Sequence, residues 1–441
     1  MAVIHPLTSI APLAEYELFA VPPTQTTVDS DTTTEHRPIS TLSSNAAIKF
    51  EIHSGIDEYI RLDETELYMQ IRVHLLRPMK AAITANDWKT VASVNNLLHS
   101  LFKQVDLAIG DKQVTISGHT YAYRAEIETR LGASKEAKES LLTASGWFES
   151  DKVNDSINAD RSKWITPADS GSVGRKIDLM GKLHLDMTFQ QKAILGGTTL
   201  RFKFTPNDLK FYMQTTTKEL RIEVEFLDAC LFVHKAKVSR EIVEAHNEAL
   251  LHSPAKYPVK RTVVKPFVIS PSTLDALIDN VHNGVLPSRI FIACVTNEAF
   301  NGSYTTNPFN YQHFNINHIA CHLDAIQFPS KAYTPDFTEG LYVREYFSLF
   351  ESTNQSQTNS TINFSRTKYP EGNVIFGFNF APDLSSGCGS SGHVSELKRG
   401  NLRLHIRFAK KLDQPINVLV LCEFDSVIEI GIDRNAQLDN I

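Results

Sequence analysis

Cysteine is scarce in this chain, five among 441 residues, and Cys230, Cys294, Cys321, Cys388 and Cys422 include no C-x-x-C pair. A disulfide framework or a cysteine-based zinc site is therefore not expected, and free thiols suit a reducing compartment. Excess positive charge is also lacking. A net charge of −6 argues against a protein that coats nucleic acid through a general phosphate-neutralising surface. No stretch approaches ~20 uninterrupted apolar residues, so no membrane-spanning helix is expected. The first residues carry Pro6, Pro12, Glu15 and Glu17 rather than a basic segment before an apolar run, so no secretory signal is read there. Asn301-Gly302-Ser303 and Asn363-Phe364-Ser365 match a glycosylation pattern but then read as loop chemistry.

Catalytic signatures are missing too. No G-x-G-x-x-G follows a strand, no phosphate loop ends in Gly-Lys-Ser/Thr, and no serine sits in a G-x-S-x-G elbow. Gly387-Cys388-Gly389-Ser390-Ser391-Gly392 looks like a cradle but lacks strand–helix context, and reads as a loop tip. Asp63-Glu64 and Glu66 lie beside a strand at its solvent face, and no carboxylate pair stands out as an acid/base dyad. The best metal candidate is His313, His318, Cys321 and His322. On a helix, His318 and His322 would share a face. The segment Asn317 to Leu323 alternates, however. As a strand it puts His318, His322 and Asp324 on one side, and Ile319, Cys321 and Leu323 on the core side. The histidines then read as solvated. No His-x-His occurs, which weighs against a duplicated cupin-like metalloenzyme. No catalytic residue, cofactor or metal site is expected.

What the chain does have is enough apolar residue, 42% with 21% charged, for a soluble globular protein. Its length suffices for two full cores. Residues 1–45 read as an N-terminal arm. Val21-Pro22-Pro23-Thr24 cannot continue a helix, and Asp29 to Glu35 is polar and Thr-rich. Phe19, Val21, Pro22 and Pro23 give this segment something to dock with, so a disordered terminus competes with an arm ordered on a neighbour.

Strand signals begin at Ala46 and alternate over Tyr59 to Leu76, the period of a sheet with one wet face. Leu101 to Ile116 reads as strand, turn and strand. Arg124 to Phe148 reads as the main helical stretch, broken at Gly132. Residues 150–174 read as a long polar surface loop, followed by strands at Lys176–Phe189, Thr198–Met213 and Leu220–Val238. Val238 to Leu251 has helical spacing and reads as a linker. Strands follow at Lys256–Ile269 and Arg289–Val295, then a loop from Asn297 to Tyr311 and strands around Ile316–Phe328. A helix near Leu341–Phe350, a polar tip at Gln355 to Asn363, and strands at Val374–Phe380, Leu402–Ala409 and Ile416–Ile432 complete the chain.

The second half also repeats the order of the first. Tyr123-Arg124, Glu126 and Leu131 answer Tyr342, Arg344-Glu345 and Leu349. Gly181 to Leu185, ending in Asp186, answers Gly377 to Phe380, ending in Asp383. Gly197 with Leu200-Arg201-Phe202-Lys203-Phe204 answers Gly400 with Leu402-Arg403-Leu404-His405-Ile406, and Glu225-Phe226 answers Glu423-Phe424. The offset, roughly 200 residues, is a whole domain rather than a solenoid period. Occurring once per half, Arg124 and Arg344 are expected to make the same structural contact twice. The fold expected is all-β with minor helices: two tandem antiparallel jelly-roll sandwiches, over 46–240 and 241–441.

Several strings point the same way. They are Glu17-Leu18-Phe19-Ala20-Val21-Pro22-Pro23-Thr24-Gln25-Thr26, His36-Arg37-Pro38-Ile39-Ser40, Asn95-Asn96-Leu97-Leu98-His99-Ser100-Leu101-Phe102 and Thr120-Tyr121-Ala122-Tyr123-Arg124. To these the second half adds Ala255-Lys256-Tyr257-Pro258, Asn297 to Tyr304, Asn307-Pro308-Phe309-Asn310 and Gly400 to Leu404. Over nearly its whole length the chain resembles the major capsid proteins of Polinton/Maverick-type elements and adintoviruses. Polar insertions at 150–174 and 353–366 depart from that pattern. The resemblance implies a double jelly-roll subunit of a double-stranded DNA virus. It implies homotrimers of pseudo-hexagonal outline that tile an icosahedral virion and are assembled inside the host cell. The implied partners are the chain itself, then penton and minor capsid proteins, with no sequence-specific nucleic-acid contact and no membrane span. The chain is expected not to be an enzyme. The competing classes are the cupin-like metalloenzyme and a lectin-like carbohydrate-binding protein.

Overall fold

The protein is described from a computed structural model. The structure describes residues 16, 18–19, 21–78, 82–116, 118–148, 157–169, 171–217, 219–356, 362–385 and 393–438. The glycine-rich 387–392 string and the centre of the 355–363 tip lie outside the described residues.

Eight strands build the first sandwich: β1 (Val28–His36), β2 (Ile48–His53), β3 (Glu58–Leu76), β4 (Phe102–Ile109), β5 (Lys112–Gln113), β6 (Val173–Lys182), β7 (Thr199–Pro206) and β8 (Arg221–Val238). They form two four-stranded sheets, ordered β1-β8-β3-β6 and β2-β7-β4-β5, with every pairing antiparallel. The second sandwich uses β9 (Ala255–Ile269), β10 (Asp275–Val285), β11 (Arg289–Thr296), β12 (Ile316–Leu323), β13 (Ile326–Tyr333), β14 (Ile375–Asn379), β15 (Arg399–Phe408) and β16 (Ile416–Ile430). Its sheets run β9-β16-β11-β14 and β10-β15-β12-β13. Adding eight to each strand number of the first sandwich gives the order of the second. In each, strands one, eight, three and six face strands two, seven, four and five. That is the jelly-roll winding, made twice.

The reason lies in residue alternation. Along β3, Leu67, Met69, Ile71, Val73 and Leu75 are buried while the residues between them are partly exposed. The same alternation runs through Ile222, Val224 and Phe226 of β8 and through Leu200, Phe202 and Phe204 of β7. A one-residue slip would turn each apolar set to water, so burial fixes the register.

The repeats fall on equivalent elements. Helix α1 (Tyr121–Gly132) lies between the fifth and sixth strands of the first roll, and α3 (Val343–Ser352) lies there in the second. Gly181 is in β6 and Gly377 in β14; each pairs with the third strand, at Leu67 and Phe291. Each glycine leaves room for a serine of the segment between the fifth and sixth strands, Ser145 at Gly181 and Ser352 at Gly377, and Gly181 also for Leu98 ahead of β4. A Cβ on Gly181 would meet Leu98 Cδ2 at 3.0 Å and Ser145 Cβ at 3.3 Å, and one on Gly377 would meet Ser352 Oγ at 2.0 Å. The 200–204 and 402–406 strings lie in β7 and β15, and Glu225-Phe226 and Glu423-Phe424 in β8 and β16.

Four local expectations change. Strand structure begins at Val28 rather than Ala46, because the polar Thr-rich stretch 28–36 adds to the edge of β8. Residues 150–174 include a helix, Ala159–Ile165, whose Ile165 is buried and whose Ser162 Oγ donates to Trp88 O at 2.7 Å. The 198–213 run breaks after Pro206 into a short helix, Leu209–Tyr212, and a strand, Met213–Thr215, that pairs with Val91–Ser93. β10 was not read from the sequence, since its largely exposed residues carry no alternation. The linker is helix α2 (Arg240–Leu250), tied to the first roll by Tyr59 Oη and His246 Nδ1 at 2.9 Å and to the second by Arg434 Nη2 donating to Asn247 at 2.8 Å.

Candidate functional site

The two rolls meet across a large buried face centred on α1. This helix lies against the outward side of the β9-β16-β11-β14 sheet, so that sheet is covered on both sides. Every residue of β11 is buried, as are Leu419, Leu421 and Glu423 of β16. β3 alternates instead.

Polar contacts across the face are unusually dense. Arg130, buried on α1, donates from Nε to Glu126 Oε1 at 2.9 Å and from Nη1 to Asn373 Oδ1 at 2.7 Å and Gly372 O at 3.0 Å. Tyr311 Oη donates to the other oxygen of Glu126 at 2.8 Å, and the Arg130 guanidinium lies 4.9 Å from the Tyr311 ring centroid. Glu126 is 0% exposed, so this carboxylate survives burial only because both oxygens are occupied.

A second cluster lies one turn back. Arg124 pairs with Glu128 at 2.9 Å and Asp186 at 2.8 Å, and donates to Thr262 O of β9. Asp186 also accepts from Thr262 N at 3.1 Å, and His184 Nδ1 lies 2.7 Å from Glu128. Burial opposes the Glu128 charge, but Arg124 and His184 outweigh it and hold the carboxyl down to about 2. In the second roll Arg289 pairs with Glu423 at 2.7 Å. There too burial opposes the charge, while Arg289 and Lys260 pull the Glu423 carboxyl below its ordinary value.

Aromatic packing completes the join. Tyr123 stacks on Phe300 at 5.6 Å and meets Phe211 and Phe309 edge-on. A cavity of about 380 Å3 remains between the rolls, lined by Ile127, Leu131, Phe189, Phe291 and Leu421 among others. Its charged walls are already paired, Glu423 with Arg289 and Lys260, Glu128 with Arg124.

Arg124 and Arg344 do not make the same contact twice. Arg344 donates to Ala332 O and Lys331 O and lies 4.8 Å over Tyr333, all within its own roll. Arg344 is exposed and lies back along the surface of its own roll.

The arm residues lie apart from this face. Phe19 is 99% and Val21 87% exposed, and Pro22 and Pro23 are exposed as well. None is brought against the sandwiches. Cys321 is buried as the strand reading requires, and His318 and His322 face outward. They are joined by His405 of β15, whose ring lies 5.0 Å from that of His318. His313 instead stacks on Phe337 at 4.4 Å. Among the described residues, Asp31, Glu64 and His234 bring their ligand atoms within 4.8 Å of one another. Arg61 already lies on both carboxylates. Sequence reading missed this group because its members come from β1, β3 and β8.

The fold and its welded face define a double jelly-roll protein, in which one chain supplies two sandwiches. No family model matches the chain. A Caenorhabditis elegans protein described only as uncharacterized is 23% identical over 440 residues, covering 96% of this chain and 100% of its own. Among solved structures, a chain of the Sputnik virophage is similar at a TM-score of 0.69 and 12% identity, over 99% of this chain and 94% of that one. The Faustovirus major capsid protein is similar at 0.58 and 9%, over 95% and 92%. The mavirus major capsid protein is similar at 0.53 and 10%, over 100% and 97%. The likeness spans both rolls from end to end.

Proposed function

We propose that this chain is a major capsid protein: a structural, non-enzymatic subunit that forms homotrimers of pseudo-hexagonal outline and tiles an icosahedral virion shell. The observation that carries this reading is the pair of complete jelly rolls joined across the buried α1 face. Fold similarity to the mavirus and Faustovirus major capsid proteins supports it. Function on this reading is assembly. A chain carrying two like sandwiches gives a near-hexagonal block when three chains meet, and such blocks tile a surface. Its partners would be further copies of itself, then penton and minor capsid proteins, with assembly inside the host cell. Residues 1–45 hold the candidate arm contacts Phe19, Val21, Pro22 and Pro23.

Light scattering on the expressed full chain, with negative-stain microscopy, tests this. The expected mass is three times the 49.4 kDa chain, with hexagonal outlines or shells in the images. A stable monomer at micromolar concentration and moderate salt would remove the reading.

A further inference from the structure

The cavity between the rolls, about 380 Å3, has the size of a small-molecule site and lies where such sites are common, at a domain interface. Its body is apolar. Ile127 and Leu131 of α1 supply one wall, and Phe291 of β11 with Leu421, its cross-strand neighbour on β16, supplies the other. All four are buried. Solvent reaches the cavity beside Phe189 and Gly132. Phe189 lines it yet is 55% exposed, an aromatic side chain left half open to water. Gly132 ends α1 there, exposed, and a Cβ built on it would meet nothing within 4 Å.

One polar pair on the wall is loosely made. Arg289 directs both Nε and Nη2 at Oε2 of Glu423, at 2.8 and 2.7 Å. Oε1 is left to Lys260 Nζ at 3.4 Å, and the same ammonium lies 3.4 Å from Oε2. Both distances are long for a charge-assisted hydrogen bond. The charges of the lining meanwhile cancel: Lys260 and Arg289 face Glu423, and Glu128 is held by Arg124 and His184. An ionic head would therefore enter this space without a spare counter-charge, the costly case. A hydroxyl carries no charge and both donates and accepts. It can give its hydrogen to Glu423 Oε1 and take one from Lys260 Nζ.

We propose that this cavity binds one uncharged amphiphile, an alkyl or aryl body ending in a hydroxyl, with the hydroxyl between Glu423 and Lys260 and the body against Ile127, Leu131, Phe291 and Leu421. A cavity of ~150 Å3 holds benzene, so this one takes a molecule of roughly 15 non-hydrogen atoms. The bound molecule touches α1 of the first roll and β11 and β16 of the second. Only the joined chain offers that surface, so the ligand stabilises the join by mass action. The cavity lies within one chain, and the inference does not rest on the capsid reading.

The test takes decan-1-ol as the probe, with decanoate and decylamine as its charged counterparts, on the full chain. Equilibrium dialysis read by gas chromatography should find one decan-1-ol per chain, held about 10-fold or more tighter than either ion. Gly132→Leu, which fills the open space at the mouth, should abolish uptake with circular dichroism unchanged. Phe189→Ala tests the same mouth without adding volume and should weaken binding about 10-fold. A wild type that takes up no decan-1-ol would overturn the site, as would uptake that both variants leave intact. Decanoate or decylamine held as tightly as the alcohol would overturn the assignment of an uncharged ligand. Light scattering of the same samples reads the capsid prediction separately, since a monomer that binds decan-1-ol would remove that reading and keep this one.

Discussion

The Tyr311 hydroxyl of the second roll donates to the Glu126 carboxylate of the first at 2.8 Å, and Arg130 holds the other oxygen of the same carboxylate. One fully buried acid thus joins two domains that are separate in sequence. Removing one partner from such a group leaves an uncompensated buried charge, the costly case for interior ion pairs.

Glu126→Leu should therefore destabilise the chain by about 3–5 kcal/mol, because Arg130 stays buried without its counter-charge. The double variant Glu126→Leu, Arg130→Met should lose clearly less. Urea unfolding of both, read by tyrosine fluorescence and by circular dichroism, checks the difference. Equal losses would show that the pair is not coupled.

Acid should loosen the inter-roll face through Glu128. Its carboxyl is held at about 2, against an ordinary 4.5. The unfolded chain therefore binds the proton first as pH falls. The stabilisation is complete above the ordinary value and is lost as pH drops through about 2. Melting temperature should be steady near neutrality and fall below about pH 4.5. Glu128→Gln should start lower and fall less steeply. Parallel curves for the two proteins would assign the acid sensitivity elsewhere.

Truncations of the N-terminus should divide at β1. Removing residues 1–24 should leave the melting temperature of the trimer unchanged but impair shell formation, because Phe19, Val21 and the two prolines are exposed. Each could bury apolar area on a neighbour, with Phe19 contributing ~2 kcal/mol. Removing 1–45 should also lower the melting temperature, since it deletes β1 and bares the β8 edge from Leu231 to Val238. Calorimetry and electron microscopy of both truncations read the two effects separately. Normal shells from the shorter truncation would reduce residues 1–24 to a passive terminus.

The paired glycines should respond unequally. Gly377→Ala places a Cβ 2.0 Å from Ser352 Oγ and 3.0 Å from its Cβ, whereas Gly181→Ala meets nothing closer than Leu98 Cδ2 at 3.0 Å. Overpacking costs about 1–3 kcal/mol, and the larger loss is expected at Gly377. Adding Ser352→Gly should recover part of it. Chemical denaturation of the three variants makes the comparison.

The strand pattern, the two-fold repeat and the strand position of Cys321 were legible in the sequence because each depends on local alternation. Burial on one side of a sheet imprints period two on neighbouring residues, and Leu67 to Leu75 carries that imprint without help from the rest of the chain. β1 was not legible. Its residues are polar, and it becomes a strand only because β8 offers an edge. β10 escaped for a similar reason, being held by β15 rather than by an apolar stripe. The Asp31, Glu64 and His234 group, and the His405 ring beside His318, join strands far apart in the chain. Above all, the sequence by itself determined that there are two like domains. Tertiary structure alone decided that Arg124 reaches across to the other roll while Arg344 turns back into its own. Arg124 directly follows Tyr123, whereas Arg344 stands two residues after Tyr342, so about 100° of helix turn separates the directions they take. Which of those directions meets a second sheet is set by how the rolls pack, and no local pattern encodes that.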